Sequence, residues 1–208
     1  MDESAAKAWM EKLDVSRETR ATIGRFVTFL REENARQNLV SASSLDQVFA
    51  RHIVDSAQLW SLAPKTHSWL DLGSGAGLPG LIIAMLGDAP VTLVESRRLR
   101  ADWLSRIAGI LDLTNVTVAA SRLELVETRP VGTITARAFA PLPKLFALAH
   151  RFSTEETLWI LPKGRSAAEE LASVATTWHG SFHMEPSVTD PDSAILIARN
   201  VRPKGARR

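Results

Sequence analysis

Three glycines at two-residue spacing, Gly73, Gly75 and Gly77, follow Asp71 in the stretch WLDLGSGAGLPGLIIAML (Trp69–Leu86). Apolar residues lead into Asp71, and Pro79, Gly80 and a second apolar run follow the glycines. That order spells a strand, a tight turn and a helix with a proline suited to its first turn. Glycine is needed where a backbone turns sharply or approaches a bound molecule with no Cβ in the way. The chemistry implied is the holding of a phosphate- or nucleoside-bearing molecule. Gly75, Gly77 and Gly80 also spell G-x-G-x-x-G, the dinucleotide fingerprint, so the loop alone leaves the ligand open. Glu95 adds to it, ending VTLVE 22 positions after Gly73. An acid about 20 residues past such a loop can accept hydrogen bonds from both hydroxyls of a ribose.

These groups need a scaffold. The first sixty-odd residues read as helices, with Ile23, Phe26, Val27 and Leu30 on one face and Ser44 with Gln47 as a capping box. SLAPKTH (Ser61–His67) breaks the pattern and marks a boundary. Beyond it, short apolar runs alternate with helical patterns. Strands are expected at Ser68–Leu72, Val91–Glu95, Val116–Ala119, Thr133–Arg137 and Thr157–Leu161, with a late pair near Phe182–Val188 and Ala194–Arg199. Leu99, Trp103, Leu104, Ile107 and Leu111 outline the clearest helix between them. Such alternation builds an α/β fold with a mostly parallel sheet covered on both faces, and ligands at the carboxyl ends of its strands. The consecutive last strands predict one antiparallel edge strand.

At 208 residues the chain can bury one substantial core. Its 45% apolar and 23% charged content is that of an ordinary globular protein. No apolar run nears the roughly 20 residues a membrane span needs. The polar start MDESAAKAWMEKLD lacks the layout of a signal peptide. There is no cysteine, which excludes disulfides, thiolate metal sites and cysteine nucleophiles. A cytoplasmic protein is expected. The net charge is only +2, but basic residues cluster: RRLRADWLSR (Arg97–Arg106) holds four arginines against one aspartate, and RNVRPKGARR (Arg199–Arg208) five basic residues and no acid. Each cluster reads as a phosphate footprint or as a solvated surface.

The run from Asp71 to Gly77, acid-x-Gly-x-Gly-x-Gly, resembles the motif of class I S-adenosylmethionine-dependent methyltransferases. A dehydrogenase would also need a second substrate region, for which the chain has little room. Absences narrow the acceptor. Pyrimidine-carbon methylation uses a cysteine nucleophile, and the chain has none. Methylation of exocyclic amines goes with Asn/Asp-Pro-Pro-aromatic after the fourth strand, where this chain reads TARAFAPLP (Thr135–Pro143). No set of Asp, Asn or His suited to metal-dependent hydroxyl methylation stands out, so no metal is expected.

Six separated motifs, RQNLVSASSLDQVFARHIVDS, WLDLGSGAGLPG, TLVESRRLRADWL, ASRLE, TARAFAPL and LPKG, resemble in order the ribosomal RNA small subunit methyltransferase G family, also called glucose-inhibited division protein B. The resemblance covers about residues 20–165, while DPDSAILIARN lacks a basic residue expected before the last strand. It implies a Rossmann-like domain with a mostly parallel seven-stranded sheet over residues 67–201, an N-terminal helical extension over 1–66 on the substrate side, and a basic tail over 202–208. It implies transfer of a methyl group from S-adenosylmethionine to nitrogen 7 of guanosine in 16S ribosomal RNA, alone or in the small subunit, by a monomer that uses neither membrane nor metal. Two other readings remain from the residues: a methyltransferase of the same fold acting on another RNA, a protein or a small molecule, and a non-catalytic nucleotide- or rRNA-binding module.

Under the resemblance, Asp71, Gly73, Gly75, Gly77, Leu78 and Glu95 hold the cofactor, with Leu123 and Glu124 at its adenine and Arg137 touching it from a strand tip. His52, Asp55 and Ser56, at i, i+3 and i+4, share one helical face toward the acceptor. Asp55, His52, Arg137 and Lys163 are the catalytic candidates. Asn38, Arg51 and Ser56, with the phosphate-contacting Arg97, Arg98 and Arg100, are the substrate-binding ones. By residue type alone, Arg51 and Asp55 also form an ordinary surface pair, and His52 an interface histidine.

Overall fold

The computed structural model describes residues 1–205. Five parallel strands, β1 (Trp69–Leu72), β2 (Val91–Val94), β3 (Val116–Ala119), β4 (Thr133–Ala136) and β5 (Leu158–Lys163), lie within a residue or two of their expected places. The last pair, β6 (Trp178–Pro186) and β7 (Ala194–Pro203), is longer than expected at both outer ends. The sheet order is β3-β2-β1-β4-β5-β7-β6. The reversed strand is therefore β7, inserted between β5 and β6, and not an edge strand. Burial explains the placement. β7 buries Ile195, Leu196 and Ala198, whereas β6 carries exposed His179, Ser181 and His183 and takes the edge.

Helices cover both faces. α1 (Glu3–Lys12), α2 (Arg17–Gln37), the short α3 (Ala42–Leu45) and a π-helical turn at Phe49–Ile53 running into α4 (Val54–Trp60) form the N-terminal layer. α5 (Gly80–Leu86), α6 (Arg98–Ile110), α7 (Leu142–Ala149) and α8 (Ala167–Val174) follow the strands. The predicted face of α2 is buried, and one apolar cluster joins Phe26, Leu30 and Ile53 to Leu81, Trp103 and Leu104. The N-terminal helices thus complete the core on one side of the sheet. On the other, Leu72 and Ile134 pack with Leu145 and Phe146 of α7.

Local hydrogen bonds set the helix ends. Ser16 accepts from the Thr19 amide at 3.0 Å to open α2, and left-handed Asn38 closes it. The expected Ser44–Gln47 capping box does not form, because Ser41 caps α3 and the Ser44 hydroxyl donates to the Ser41 carbonyl at 2.8 Å. The Glu3 carboxylate instead accepts from the amides of Phe49 and Ala50 at 3.1 and 3.0 Å, at the positive end of the next helix.

Candidate functional site

The glycines divide their labour. Gly73, Gly75 and Gly77 all take positive φ, +69°, +54° and +94°, which carries the chain from β1 toward α5. A methyl group on Gly80 would sit 2.3 Å from Leu93 Cδ2 and 2.7 Å from Asp71 Oδ2, so Gly80 permits close helix–strand packing. At Gly75 the nearest atoms to such a methyl, Arg100 Nη1 and the Gly73 carbonyl oxygen, are 3.7 Å away. Gly75 is the open point of the loop. Fully buried Asp71 accepts from the Gly80 amide at 3.1 Å through Oδ2, while its Oδ1 has no protein partner. Burial pushes its pKa up to about 6, against hydrogen bonding from Ser74 and Gly80 and the charge of Arg137. Asp71 thus fixes the entry of α5, and a ligand can approach the loop at Gly75.

Glu95 is buried just past β2. Its carboxylate accepts from the Gly75 amide at 3.0 Å and from the Arg97 amide at 2.8 Å, which ties the glycine loop to the β2 tip. Each oxygen keeps a second lone pair, so acceptance from two ribose hydroxyls stays within its capacity.

A concavity of about 900 Å³ opens at the carboxyl ends of β4 and β5. Arg137, directly after β4, is its centre. Arg137 Nη1 donates to His52 Nδ1 at 3.2 Å and lies 3.6 Å from Asp55 Oδ2. Asp55 Oδ1 accepts from Thr189 Oγ1 at 3.1 Å and from Gln58 Nε2 at 3.2 Å. Burial raises the Asp55 pKa while the Arg137 charge opposes the rise. The other ring nitrogen of His52 meets Ser44 Oγ at 2.8 Å. Burial first, then the charges of Arg137 and Arg51, push the His52 pKa down to about 4. The ring is neutral at neutral pH, with both nitrogens engaged. Lys163 also lines the cavity and donates to Glu170 Oε2 of α8 at 2.8 Å.

A sequence model of the GidB family, described as rRNA small subunit methyltransferase G, matches residues 19–190. The chain belongs to this family. A protein of Rhizorhabdus wittichii named ribosomal RNA small subunit methyltransferase G is 51% identical over 99% of this chain and 96% of its own. Among solved structures, a TehB-like SAM-dependent methyltransferase from Corynebacterium glutamicum superposes with a TM-score of 0.57 at 12% identity, over 86% of this chain and 98% of that one. M. jannaschii TYW2, solved in complex with AdoMet, gives 0.58 at 11% identity, over 73% and 76%. The fold is that of a class I S-adenosylmethionine-dependent methyltransferase, and S-adenosylmethionine is the cofactor.

Within that fold the expected site residues part company. His52, Asp55, Arg137, Lys163 and Arg51 converge on the cavity. Asn38 does not line it; its left-handed backbone ends α2 at an exposed position. Ser56 is also a correction, because it is fully buried and its hydroxyl donates to the His52 carbonyl at 2.6 Å. A helical face at i, i+3 and i+4 therefore delivers two groups to the cavity, not three. Leu78 and Leu123 are buried in the two apolar clusters, and Glu124 is exposed on a 3₁₀ turn at Leu123–Leu125. Arg97 and Arg98 are exposed beside Glu95, whereas half-buried Arg100 leans over the Gly75 loop.

Sequence reasoning missed the 187–193 connection between β6 and β7. Its Thr189 reaches Asp55 across 134 positions, and its Asp190 lies 3.7 Å from Arg51. Gln58, also missed, accepts from the Val188 amide at 3.0 Å. Nothing local in the sequence couples these segments. Glu170, seven positions after Lys163, was missed as well, since it carries no motif of its own. Among the described residues no cluster suited to a metal ion is present, and no helix is long and apolar enough to cross a membrane.

Proposed function

We propose that this protein methylates nitrogen 7 of a guanosine in 16S ribosomal RNA of the small subunit, as a cytoplasmic monomer. Residues 1–66 form the acceptor side, residues 67–201 the methyltransferase domain and residues 202–208 a basic tail, of which Arg202 and Pro203 belong to β7 and pair with β6. Residues 206–208 lie outside the described residues. The observation that carries the reading is Arg137, which stands between the acceptor cavity and the glycine loop and feels the carboxylates of both Asp55 and Asp71.

The cofactor supplies a methyl group on an electron-poor sulfonium. Nitrogen 7 of neutral guanine has a free lone pair and no proton, so the protein has to align the base rather than deprotonate it. A neutral His52 with both nitrogens engaged agrees with that. Arg137 and Lys163 are suited to donate toward the guanine carbonyl oxygen or a phosphate. Asp55 offsets the positive charge that develops on the base as the methyl arrives, a charge that an unbalanced Arg137 would oppose. Arg51 holds the entrance through Asp190, and Arg97, Arg98 and Arg100 meet RNA phosphates. Gly75 and Glu95 fit the donors of a nucleoside methionine.

The test is methylation of small subunits from cells lacking the protein, with a labelled methyl donor, followed by nuclease digestion and mass spectrometry. The expected product is 7-methylguanosine. Label on adenine or cytosine, or none on RNA, would overturn the reading.

A further inference from the structure

A chain of hydrogen bonds links the N-terminal helices to Arg137, and chemistry permits only one direction along it. A guanidinium can donate but never accept, so His52 Nδ1, 3.2 Å from Arg137 Nη1, is the acceptor. A neutral imidazole carries one proton, which must then sit on Nε2 and be donated to Ser44 Oγ at 2.8 Å. The Ser44 hydrogen goes on to the Ser41 carbonyl at 2.8 Å. Within this chain, the Arg137 Nη1, His52 Nε2 and Ser44 Oγ hydrogens each have an acceptor.

From this geometry we infer that His52 is a positioning residue, a tautomer-locked acceptor that aims Arg137 across the acceptor cavity, with Ser44 as the lock. The inference rests on the proposed function only for what Arg137 then does. Three facts support it. His52 is 7% exposed and both its ring nitrogens are engaged, so no lone pair is left to take a proton from a substrate. Arg137 Nη1 meets both its charge partner, Asp55, and His52, so two contacts hold a guanidinium nitrogen that one would leave freer to swing. Protonation is disfavoured by the surroundings. The charges facing the ring are Arg51 from its own helical segment and Arg137 from beyond β4, with Asp55 as the nearby carboxylate, itself paired to Arg137. A protonated His52 would point an N–H at the guanidinium and push it away.

The lock distinguishes two substitutions that a purely structural histidine would not. Asparagine places its amide oxygen near where Nδ1 stood, and glutamine reaches toward the position of Nε2. His52→Asn should therefore keep methylation within about tenfold of the parent, while His52→Gln falls on the order of a hundredfold, the effect of losing one charge-assisted hydrogen bond. Both should bind S-adenosylmethionine like the parent in calorimetry. Ser44→Ala should lower kcat several-fold with little change in KM, since the tautomer is freed but the cavity remains.

A direct reading needs no activity, and a variant only to assign the signal. In the ¹⁵N-histidine-labelled protein, the His52 imidazole should show unprotonated Nδ1 and protonated Nε2 from pH 6 to 8, its resonances being those missing from His52→Asn. A proton on Nδ1, or a ring that titrates in that range, overturns the proposal whatever the enzyme methylates. Glutamine rescue with asparagine failure would do the same. Correct tautomer with no methylation of subunits would instead leave the lock standing and remove the assigned substrate.

Discussion

The glycine loop and the acceptor cavity are adjacent, yet they are built on different principles. The loop is short-range and made of backbone: Asp71, Gly75, Gly80 and Glu95 lie within 25 residues and bind one another through amides. The cavity is long-range and made of side chains, drawing on α3, the π-turn, α4, the β4 and β5 tips, α8 and the 187–193 loop. The first tolerates no bulk. The second should tolerate a change of shape better than the removal of a charge partner. Gly75→Val should break the cofactor side most severely, because a β-branched residue at φ +54° is strained and its methyls enter the open point of the loop. Calorimetry should show S-adenosylmethionine affinity down by more than about a hundredfold, with the fold retained in circular dichroism.

The acceptor side should show the opposite pattern. Arg137→Ala leaves Asp55 and His52 without their shared partner and should lower kcat/KM by about a hundredfold or more, about 3 kcal/mol, while cofactor binding changes far less. If cofactor binding collapses equally, the two regions are one site and the division is wrong. Asp55→Asn keeps the shape and loses the charge. It should lower the rate about ten- to hundredfold, from about 1.5–3 kcal/mol of charge-assisted hydrogen bonding. The pH–rate profile of the parent should be flat near neutrality.

The two regions also respond to acid in opposite senses. His52 has a folded pKa of about 4, below the usual 6.5, so its neutral form stabilises the fold above pH 6.5 and that contribution is lost as pH falls toward 4. Asp71, raised from 3.8 to about 6, behaves in reverse: its contribution is present below pH 3.8 and is lost as pH rises through 6. Either effect is on the order of 3 kcal/mol when complete. Relative to the parent, His52→Asn should gain stability in chemical denaturation as pH drops from 6.5 to 4, and Asp71→Asn should gain as pH rises from 4 to 6. The same sign for both would mean that the burial differences do not set these ionisations. The smallest effect belongs to the exposed surface. Replacing Arg97 and Arg98 with Gln should flatten the salt dependence of RNA binding, by about one logarithmic unit of slope for each phosphate no longer neutralised, and leave cofactor binding alone.

Five parallel strands, the α2 core face and the glycine loop were legible because each is a local pattern: period-two or buried apolar runs, helical spacing and turn residues that the backbone itself requires. Sequence spacing also brought His52 and Asp55 to one side of a helix, and the LPKG lysine to a strand tip. It erred where a side chain had a better partner than the expected one. Ser44 turns to Ser41 and His52 rather than capping, Ser56 bonds back to the His52 carbonyl, and Asn38 spends its conformational tolerance on ending α2. The place of β7 was decided by relative burial against β6, a comparison between two strands that neither strand carries alone. Thr189 meeting Asp55, and Arg137 meeting His52 across 85 positions, were likewise settled only when the sheet brought the segments together. Local preferences are written residue by residue. A hydrogen bond between distant side chains is chosen by the packing that first places them within about 3 Å of each other.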